Sequence, residues 1–440
     1  MLKKAFTALF TVSLALVMTA CGGSNATESD GGTTGDTSNG SVTIDFMHLW
    51  PAGSSAEQNR IVNDIITQFE EANPGVKVVQ EVLDNEQYKN KLQVVSSSNQ
   101  LPDVGMTWAA GFMEPYVKGN LFASLNDTLD QDGLRERFVA GTLEAYSTDG
   151  EFYGLPLELN IAPIFYNKAI FAEHGLEVPE TYEEFLTVVE TLAGNGVAPI
   201  ALGNRDRWTG SLWYMYLADR FGGAEALNSA IDRSGSFENP ALVDAAAEIT
   251  NLVNMNAFNR GFNGLSNEEA KAEFLNEGAA MYLIGSWEVP NFTTNEQIPQ
   301  EFRDNVGFFK FPMVEGGAGN VDSWVGGPGV GLFVAENSDV KEEAKAFVKF
   351  FAEQWGEQAV ENAGVIPGTQ VDTAAVDLPD LFIEVLDELN GASNITLFAD
   401  VQMSSGVAET HLNMIQSLFG NEVTPEDFAK KHEEALASEE

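Results

Sequence analysis

The sequence predicts an α/β protein built as two lobes, and three observations carry that expectation. A chain of 440 residues with 44% hydrophobic and 20% charged residues has globular composition but is too long for one hydrophobic core. Strand-like runs alternate with helix-period patterns over residues 42–108 and again over 181–287, as in α/β sheets. Between them, residues 153–171 read YGLPLELNIAPIFYNKAIF, an apolar, extended stretch punctuated by Pro156 and Pro163, each of which disfavours helix at the residue before it. A strand crossing from one lobe to the other is predicted there.

The chain opens with Lys3 and Lys4, followed over 5–17 by an apolar run too short to span a bilayer but suited to the core of a signal peptide. Met18-Thr19-Ala20-Cys21 resembles the lipobox of bacterial lipoproteins, with Met18 where that motif usually has leucine. The resemblance implies cleavage after residue 20 and a lipid-anchored Cys21; the alternative is a secreted protein with an incidental cysteine. Cys21 is the only cysteine, so it has no partner for an internal disulfide, a redox pair or a thiolate metal site. Residues 22–40, dense in Gly, Ser, Thr and Asn, predict a flexible tether between anchor and soluble domain. The expected address is therefore the outer face of the cytoplasmic membrane or the periplasm.

In the first unit, residues 42–49 read as a buried strand that ends at Trp50-Pro51-Ala52-Gly53. Ser55 and Gln58 have capping-box spacing for a helix carrying Ile61, Ile65 and Phe69, which Asn73-Pro74-Gly75 stops. Strand 76–82 follows, then Asp84 and Asn85 before a helix with Tyr88, Leu92 and Val95 inward, then Leu101-Pro102-Asp103-Val104 and a short strand ending near Trp108. The second unit repeats this logic. Thr181 with Glu184 caps a helix with Phe185, Val188, Val189 and Leu192 inward; strand 198–202 breaks at Gly203-Asn204, ahead of the aromatics Trp208, Trp213, Tyr214 and Tyr216. A helix pattern spans 240–257, and Ser266 with Glu269 caps another over 267–277. Strand 279–284 then stops at Gly285-Ser286-Trp287-Glu288. Further on, a helix is predicted over 340–352 on the stripe Val340, Ala344, Phe347, Phe351. The tail is helical, with Leu412, Ile415 and Phe419 inward and a last helix opened by Thr424-Pro425-Glu426-Asp427.

Several of these pieces, in this order, resemble the extracellular solute-binding proteins that deliver sugars to bacterial ABC importers, the class that includes maltose-binding protein. They are the lipobox, the opening strand and helix to Asn73-Pro74-Gly75, LPDV at 101–104 and the crossover ending Tyr166-Asn167-Lys168. EFLNEGAAMYLIGSW at 273–287, VGFFKFP at 306–312, WVGGPGVGLFVAEN at 324–337 and Gly364-Val365-Ile366-Pro367-Gly368 complete the set. The resemblance implies the two-lobed type II periplasmic-binding-protein fold with discontinuous lobes joined by crossover hinges. It places 41–151 plus 306–358 in an N lobe and 152–305 plus 359–440 in a C lobe. Extended stretches near Leu155, Phe308 and Val365 are where the crossovers are expected. A monomer that hands carbohydrate, as an oligosaccharide, to permease subunits and meets the membrane only through its lipid is the implied role.

A sugar ring shows a face of C–H groups and a rim of hydroxyls, so a receptor needs flat aromatic plates and a few fixed donors and acceptors. Covering about 40 Å² of ring contributes on the order of 1 kcal/mol, and a hydrogen bond to a carboxylate about 1.5–3 kcal/mol. Trp50, Trp108, Trp208, Trp287 and Trp324 fall at predicted strand ends or loops and are the candidate plates, core packing being the rival for each; Trp213 and Trp355 read as core. Trp287 matches the family's stacking tryptophan, and Trp50 the aromatic that ends its first strand. Glu158 and Asn160, two apart and so on one face of a strand, fall at crossover positions that face the cleft in the family, with a solvated face as the alternative. Asp103 can accept from hydroxyls or simply make a Pro-Asp turn, and Gly327, after Trp324, offers bare backbone to a ligand.

The charge balance, 23 Lys+Arg against 66 Asp+Glu for a net −43, excludes nucleic acid and anionic lipid as partners; adaptation to a saline exterior explains it better than cation binding does. No cofactor or metal is expected, because His48, His174, His411 and His432 are scattered without ligand spacing, and no G-x-S-x-G elbow is present. Two alternatives to a sugar receptor remain. One is a receptor for a polyol, glycerol phosphodiester or uronate oligomer; the other is a surface polysaccharide-cleaving enzyme, which accidental carboxylate pairs leave open.

Overall fold

The computed structural model describes residues 41–373 and 376–439. The expected signal peptide, Cys21 and the tether over 22–40 lie outside the described residues. In chain order the strands are β1 (Val42–His48), β2 (Val76–Val82), β3 (Val104–Thr107), β4 (Ser147–Thr148), β5 (Glu151–Phe152), β6 (Leu155–Pro156) and β7 (Leu159–Ile161). They continue with β8 (Ile164–Asn167), β9 (Ala198–Ile200), β10 (Ala279–Leu283), β11 (Val306–Phe309), β12 (Ser323–Pro328), β13 (Gly331–Val334) and β14 (Asn394–Leu397).

Three sheets organise them, beside the small β4–β5 hairpin. The first runs β2-β1-β3-β13-β6, with β1 parallel to β2 and β3, and β13 antiparallel to β3 and β6. The second runs β11-β8-β10-β9, with β10 parallel to β9 and β8 antiparallel to β10 and β11. The third, β14-β12-β7, holds two of the crossings, with β14 added from the tail: β7 lies between β6 and β8 in the chain, and β12 between β11 and β13. A third passage, at 365–368, pairs with the same segment, since Leu159 N–H donates to Ile366 O and Gly368 N–H to Leu157 O. Two of the crossings fall at the extended stretches expected near Leu155 and Val365; the one expected near Phe308 lies further on, at β12. One boundary moves: Val306–Phe309, assigned from the resemblance to the first lobe, forms β11 of the second sheet, because its backbone pairs antiparallel with β8 along all four residues.

Local rules account for most helices. Thr181 with Glu184 and Ser266 with Glu269 form reciprocal capping boxes. Ser55 precedes the helix Ala56–Ala72 but makes no side-chain cap, and Gln58 is turned away to donate to Trp287 O at 3.3 Å. The helix expected over 340–352 runs Lys341–Ala363, since Trp355, Ala359, Val360 and Ala363 continue its buried stripe until Gly364 turns left-handed at φ 66°. In the tail helix Ser405–Phe419 the buried positions include His411 and Ile415, with Leu412 only half-buried. Helix Trp208–Gly222 is buried almost throughout and is pinned to the crossing strands by Arg220. That guanidinium donates to Phe311 O at 3.1 Å and Ser323 O at 3.0 Å, pairs with Asp219, and lies over the Tyr216 and Phe311 rings. Among the described residues no helix is long and apolar enough to cross a membrane.

Candidate functional site

In both principal sheets the parallel strands aim their carboxyl ends at one cavity of about 240 Å³. Leu49 and Trp50 follow β1, Asp84 to Glu86 follow β2, and Trp108 follows β3. From the other side Arg205, Asp206 and Trp208 follow β9 and Trp287 follows β10, while Glu158, Asn160, Gly329 and Val330 come from the crossing segments. Ligand sites in open α/β sheets form outside the carboxyl ends of the strands, where loops rather than side-chain-filled layers meet.

The walls are aromatic. Trp208 and Trp287 meet edge to face at 6.0 Å and 60°, Trp287 and Phe398 at 5.9 Å and 66°, and Trp108 and Phe112 at 4.9 Å and 67°. Trp50 also lines the cavity but is only 4% exposed, stacked on Trp355 at 4.5 Å and 5°. Trp287 owes its pose to Gly285, where a Cβ would lie 2.0 Å from the indole. Trp208 follows Arg207, a non-glycine residue at φ 66° held there by bonds from its guanidinium to Glu409 (2.7 Å) and Asn413 (2.8 Å). Such conformations persist where surrounding contacts over-determine them. Lys89 Nζ lies 5.0 Å from the Trp108 ring and 5.9 Å from that of Trp208, so one ammonium touches both walls.

The polar groups divide into committed and free. Every cation on the cavity wall is paired: Lys89 with Glu86 (3.3 Å), Arg205 with Glu269 (3.4 Å), and Lys271 with Glu268 (3.0 Å) and Glu288 (3.1 Å). Burial disfavours the Lys271 charge, but its two carboxylates outweigh that and hold it above the ordinary lysine range. Asp84 caps the next helix through Gln87 N–H at 2.9 Å. By contrast Asn85 Oδ1, Glu158 Oε1, Asn160 Nδ2 and Trp208 Nε1 are buried and have no hydrogen-bond partner among the described residues. Burial pushes the Glu158 carboxyl up to about 7 and also raises Asp206 and Asp400. Ser211, at the cavity, bonds His411 Nε2 at 2.7 Å; His411 Nδ1 bonds His432 Nε2 at 2.8 Å, and His432 Nδ1 lies 2.8 Å from Phe428 O. The terminal carbonyl can only accept, so His432 donates to it, His411 donates to His432, and Ser211 donates to His411. Burial keeps both imidazoles neutral, holding His411 well below and His432 at about 4 against the usual 6.5.

Six of the nine residues expected at the site, Trp50, Trp108, Glu158, Asn160, Trp208 and Trp287, line this cavity. Three do not. Asp103 sits at the start of β3, away from its carboxyl end, where its carboxylate accepts from Asp45 N–H (2.8 Å) and Ser338 Oγ (2.6 Å) as a turn anchor. Trp324 is 1% exposed, enclosed within the crossing sheet. Gly327 pairs with Asn160 in β12, facing Leu397, and it is Gly329 that reaches the cavity. Sequence reasoning missed Gln58, Lys89, Ser211, Lys271, Glu288, Phe398 and Asp400. Gln58 has capping-box spacing with Ser55, and only the structure shows that the box stays open and the amide turns to Trp287 O. Among the described residues no group of His, Cys, Asp or Glu is placed to hold a metal ion.

Two α/β sheets joined by crossing strands, with a cavity at the carboxyl ends of both, define the two-lobed type II solute-binding fold. The chain belongs to the bacterial extracellular solute-binding protein family, whose model matches residues 52–354. It is 26% identical over 319 residues, 70% of each chain, to the multiple sugar-binding protein of Streptococcus mutans. A structure from work on xylan utilization by Caldanaerobius polysaccharolyticus superposes with a TM-score of 0.84 at 30% identity, covering 90% of this chain and all of the other. A chitin oligosaccharide binding protein shares the fold, with a TM-score of 0.83 at 24% identity, covering 90% of this chain and 98% of its own.

Proposed function

We propose that this protein is an extracytoplasmic carbohydrate receptor, lipid-anchored through Cys21, that captures an oligosaccharide between its lobes and delivers it to an ABC importer. The observation that carries this reading is the pairing of aromatic walls with buried, unpartnered donors and acceptors in one cavity. Trp108, Trp208 and Trp287 supply flat apolar faces, while Glu158, Asn160 and Asn85 supply hydrogen-bonding atoms without a protein partner. An unpaired buried polar group costs about 1–3 kcal/mol, a cost that ligand hydroxyls at these positions would remove. Two or three plates and several such bonds, less the ordering cost, suffice for micromolar binding, about −8 kcal/mol. The names of the sugar-binding relatives support the same ligand class. Because each wall cation already has a carboxylate partner, the site favours a neutral sugar over a uronate or phosphodiester.

The mechanism is capture by closure. A ligand that touches both walls binds the closed form more tightly than the open one and shifts the population toward it by that difference in affinity. The permease then reads the closed shape. Titration of the domain from residue 41 onward with chitotriose, xylotriose and raffinose, followed by tryptophan fluorescence, tests this. Saturation at micromolar sugar is expected, with a loss of tenfold or more in Trp287→Ala and with the sugar recovered intact. Shortened sugar would overturn the receptor in favour of an enzyme, and silence across a wide panel would point to a non-sugar solute. Anchoring is tested separately, by incorporation of labelled palmitate that Cys21→Ser abolishes.

A further inference from the structure

Between the first and second sheets the chain carries a buried carboxyl group with one oxygen unused. Glu158 is 3% exposed, lines the cavity, and its Oε1 has no hydrogen-bond partner among the described residues. The amide beside it has a fixed orientation. Ile161 N–H donates to Ser286 Oγ at 3.3 Å, and the Ser286 hydroxyl, with its proton left to give, donates to Asn160 Oδ1 at 2.9 Å. Asn160 Nδ2 therefore faces the other way, toward Gly329. A Cβ on Gly329 would lie 2.5 Å from Asn160 Nδ2 and 3.2 Å from Glu158 Oε2. The missing side chain leaves a small polar niche with a donor on one side and a carboxyl on the other.

We propose that Glu158 accepts a ligand hydroxyl in this niche, and that capture of the sugar drives a proton off its carboxyl group. The inference rests on the carbohydrate-receptor reading and assigns a proton linkage to its site. The asymmetry of the niche sets the direction. Asn160 Nδ2 beside it can only donate, and a ligand hydroxyl that donates to Oε1 gives the carboxylate a hydrogen bond it otherwise lacks, so the occupied niche stabilises the carboxylate over the acid. The empty niche lacks that donor, and burial opposes the charge, which holds the free carboxyl near 7. The proton balance is simple: the acid O–H of Glu158 breaks, the proton passes to solvent buffer, and the sugar is unchanged.

The groups that share the niche and cavity leave Glu158 as the centre of this linkage. Tyr146, whose hydroxyl donates to Gly329 O at 2.5 Å, stays protonated, pushed well up by burial and by the Glu158 charge. His411 behind Ser211 stays neutral. Lys271 is locked between Glu268 and Glu288, Lys89 is paired with Glu86, and Arg205 with Glu269. Asp84 caps its helix. Asp206, Glu268 and Asp400 are raised by burial, so a variant is needed to separate their share.

Calorimetry with whichever of chitotriose, xylotriose or raffinose binds, run in phosphate and in Tris at pH 6, 7 and 8, counts protons directly. Release of about half a proton at pH 7 is expected, with affinity rising about tenfold from pH 6 to pH 8. In Glu158→Gln both effects should vanish while weaker, pH-independent binding remains. A carboxyl ¹³C titration of the wild-type protein gives a second readout should that variant not bind: the Glu158 midpoint should fall on adding sugar. Proton uptake, no release, an unshifted midpoint, or release that persists in Glu158→Gln would each overturn the proposal. Binding without proton release defeats this inference alone; failure of every sugar to bind defeats the receptor reading with it.

Discussion

His48 shows how far one buried residue can set the response of the molecule to acid. It is fully buried, stacked on Phe46 at 5.1 Å and bonded to Gln80 at 3.0 Å, and burial lowers it to about 4. The unfolded chain has the ordinary 6.5, so below that pH the unfolded state takes up protons that the folded state refuses. This contribution to stability is whole above 6.5 and is lost as pH falls toward 4; by pH 5 about 2 kcal/mol of it has gone. His432 acts in the same sense. Glu158 acts in the opposite one, since its folded value lies above its unfolded value and its contribution fades as pH rises through 7. Urea denaturation at pH 7 and pH 5 checks the sign. The fall in stability should be smaller by about 2 kcal/mol in His48→Phe than in the wild type, whatever the variant's absolute stability.

Among elements, helix Trp208–Gly222 does two jobs. Its first residue is a cavity wall, and its last turn holds the crossing strands through Arg220. Asp219 accepts from Ser323 Oγ at 2.6 Å as well as pairing with Arg220, so helix and hinge share one buried polar network. Removing one partner of a buried pair costs about 3–5 kcal/mol, because the other charge is left uncompensated. Arg220→Met is expected to destabilise by that amount, and Asp219→Asn added to it should recover part of the loss in a double-mutant cycle. Additive losses would show that the two residues do not act as a pair.

At the scale of the molecule, the two walls already touch. Gln58 Nε2 reaches Trp287 O at 3.3 Å, Lys271 Nζ reaches Ser54 O at 3.3 Å, and Lys89 spans Trp108 and Trp208. These contacts join helices and loops around the first sheet to those around the second and favour the closed arrangement. A hydrogen bond of this kind is worth about 1 kcal/mol, enough to move a two-state population severalfold. Gln58→Ala should therefore increase the radius of gyration of the ligand-free protein in solution scattering and leave the sugar-saturated value unchanged. An unchanged ligand-free radius would show that this contact does not bias closure.

The sequence by itself determined the α/β alternation, the two boxed helix starts at Thr181 and Ser266, the crossings near Leu155 and Val365, and the cavity positions of Trp108, Trp208 and Trp287. Each follows from local chemistry: periodicity, caps, and loops at strand ends. Only the tertiary structure decided that β11 belongs to the second sheet, that Trp324 is enclosed, and that Asp103 anchors a turn, because strand pairing and burial depend on partners far along the chain. Lys89, Ser211, Lys271 and Asp400 reach the cavity from helices that read as ordinary α/β packing. What gathers them is the meeting of two sheets brought together by three chain crossings, a geometry that no local pattern encodes.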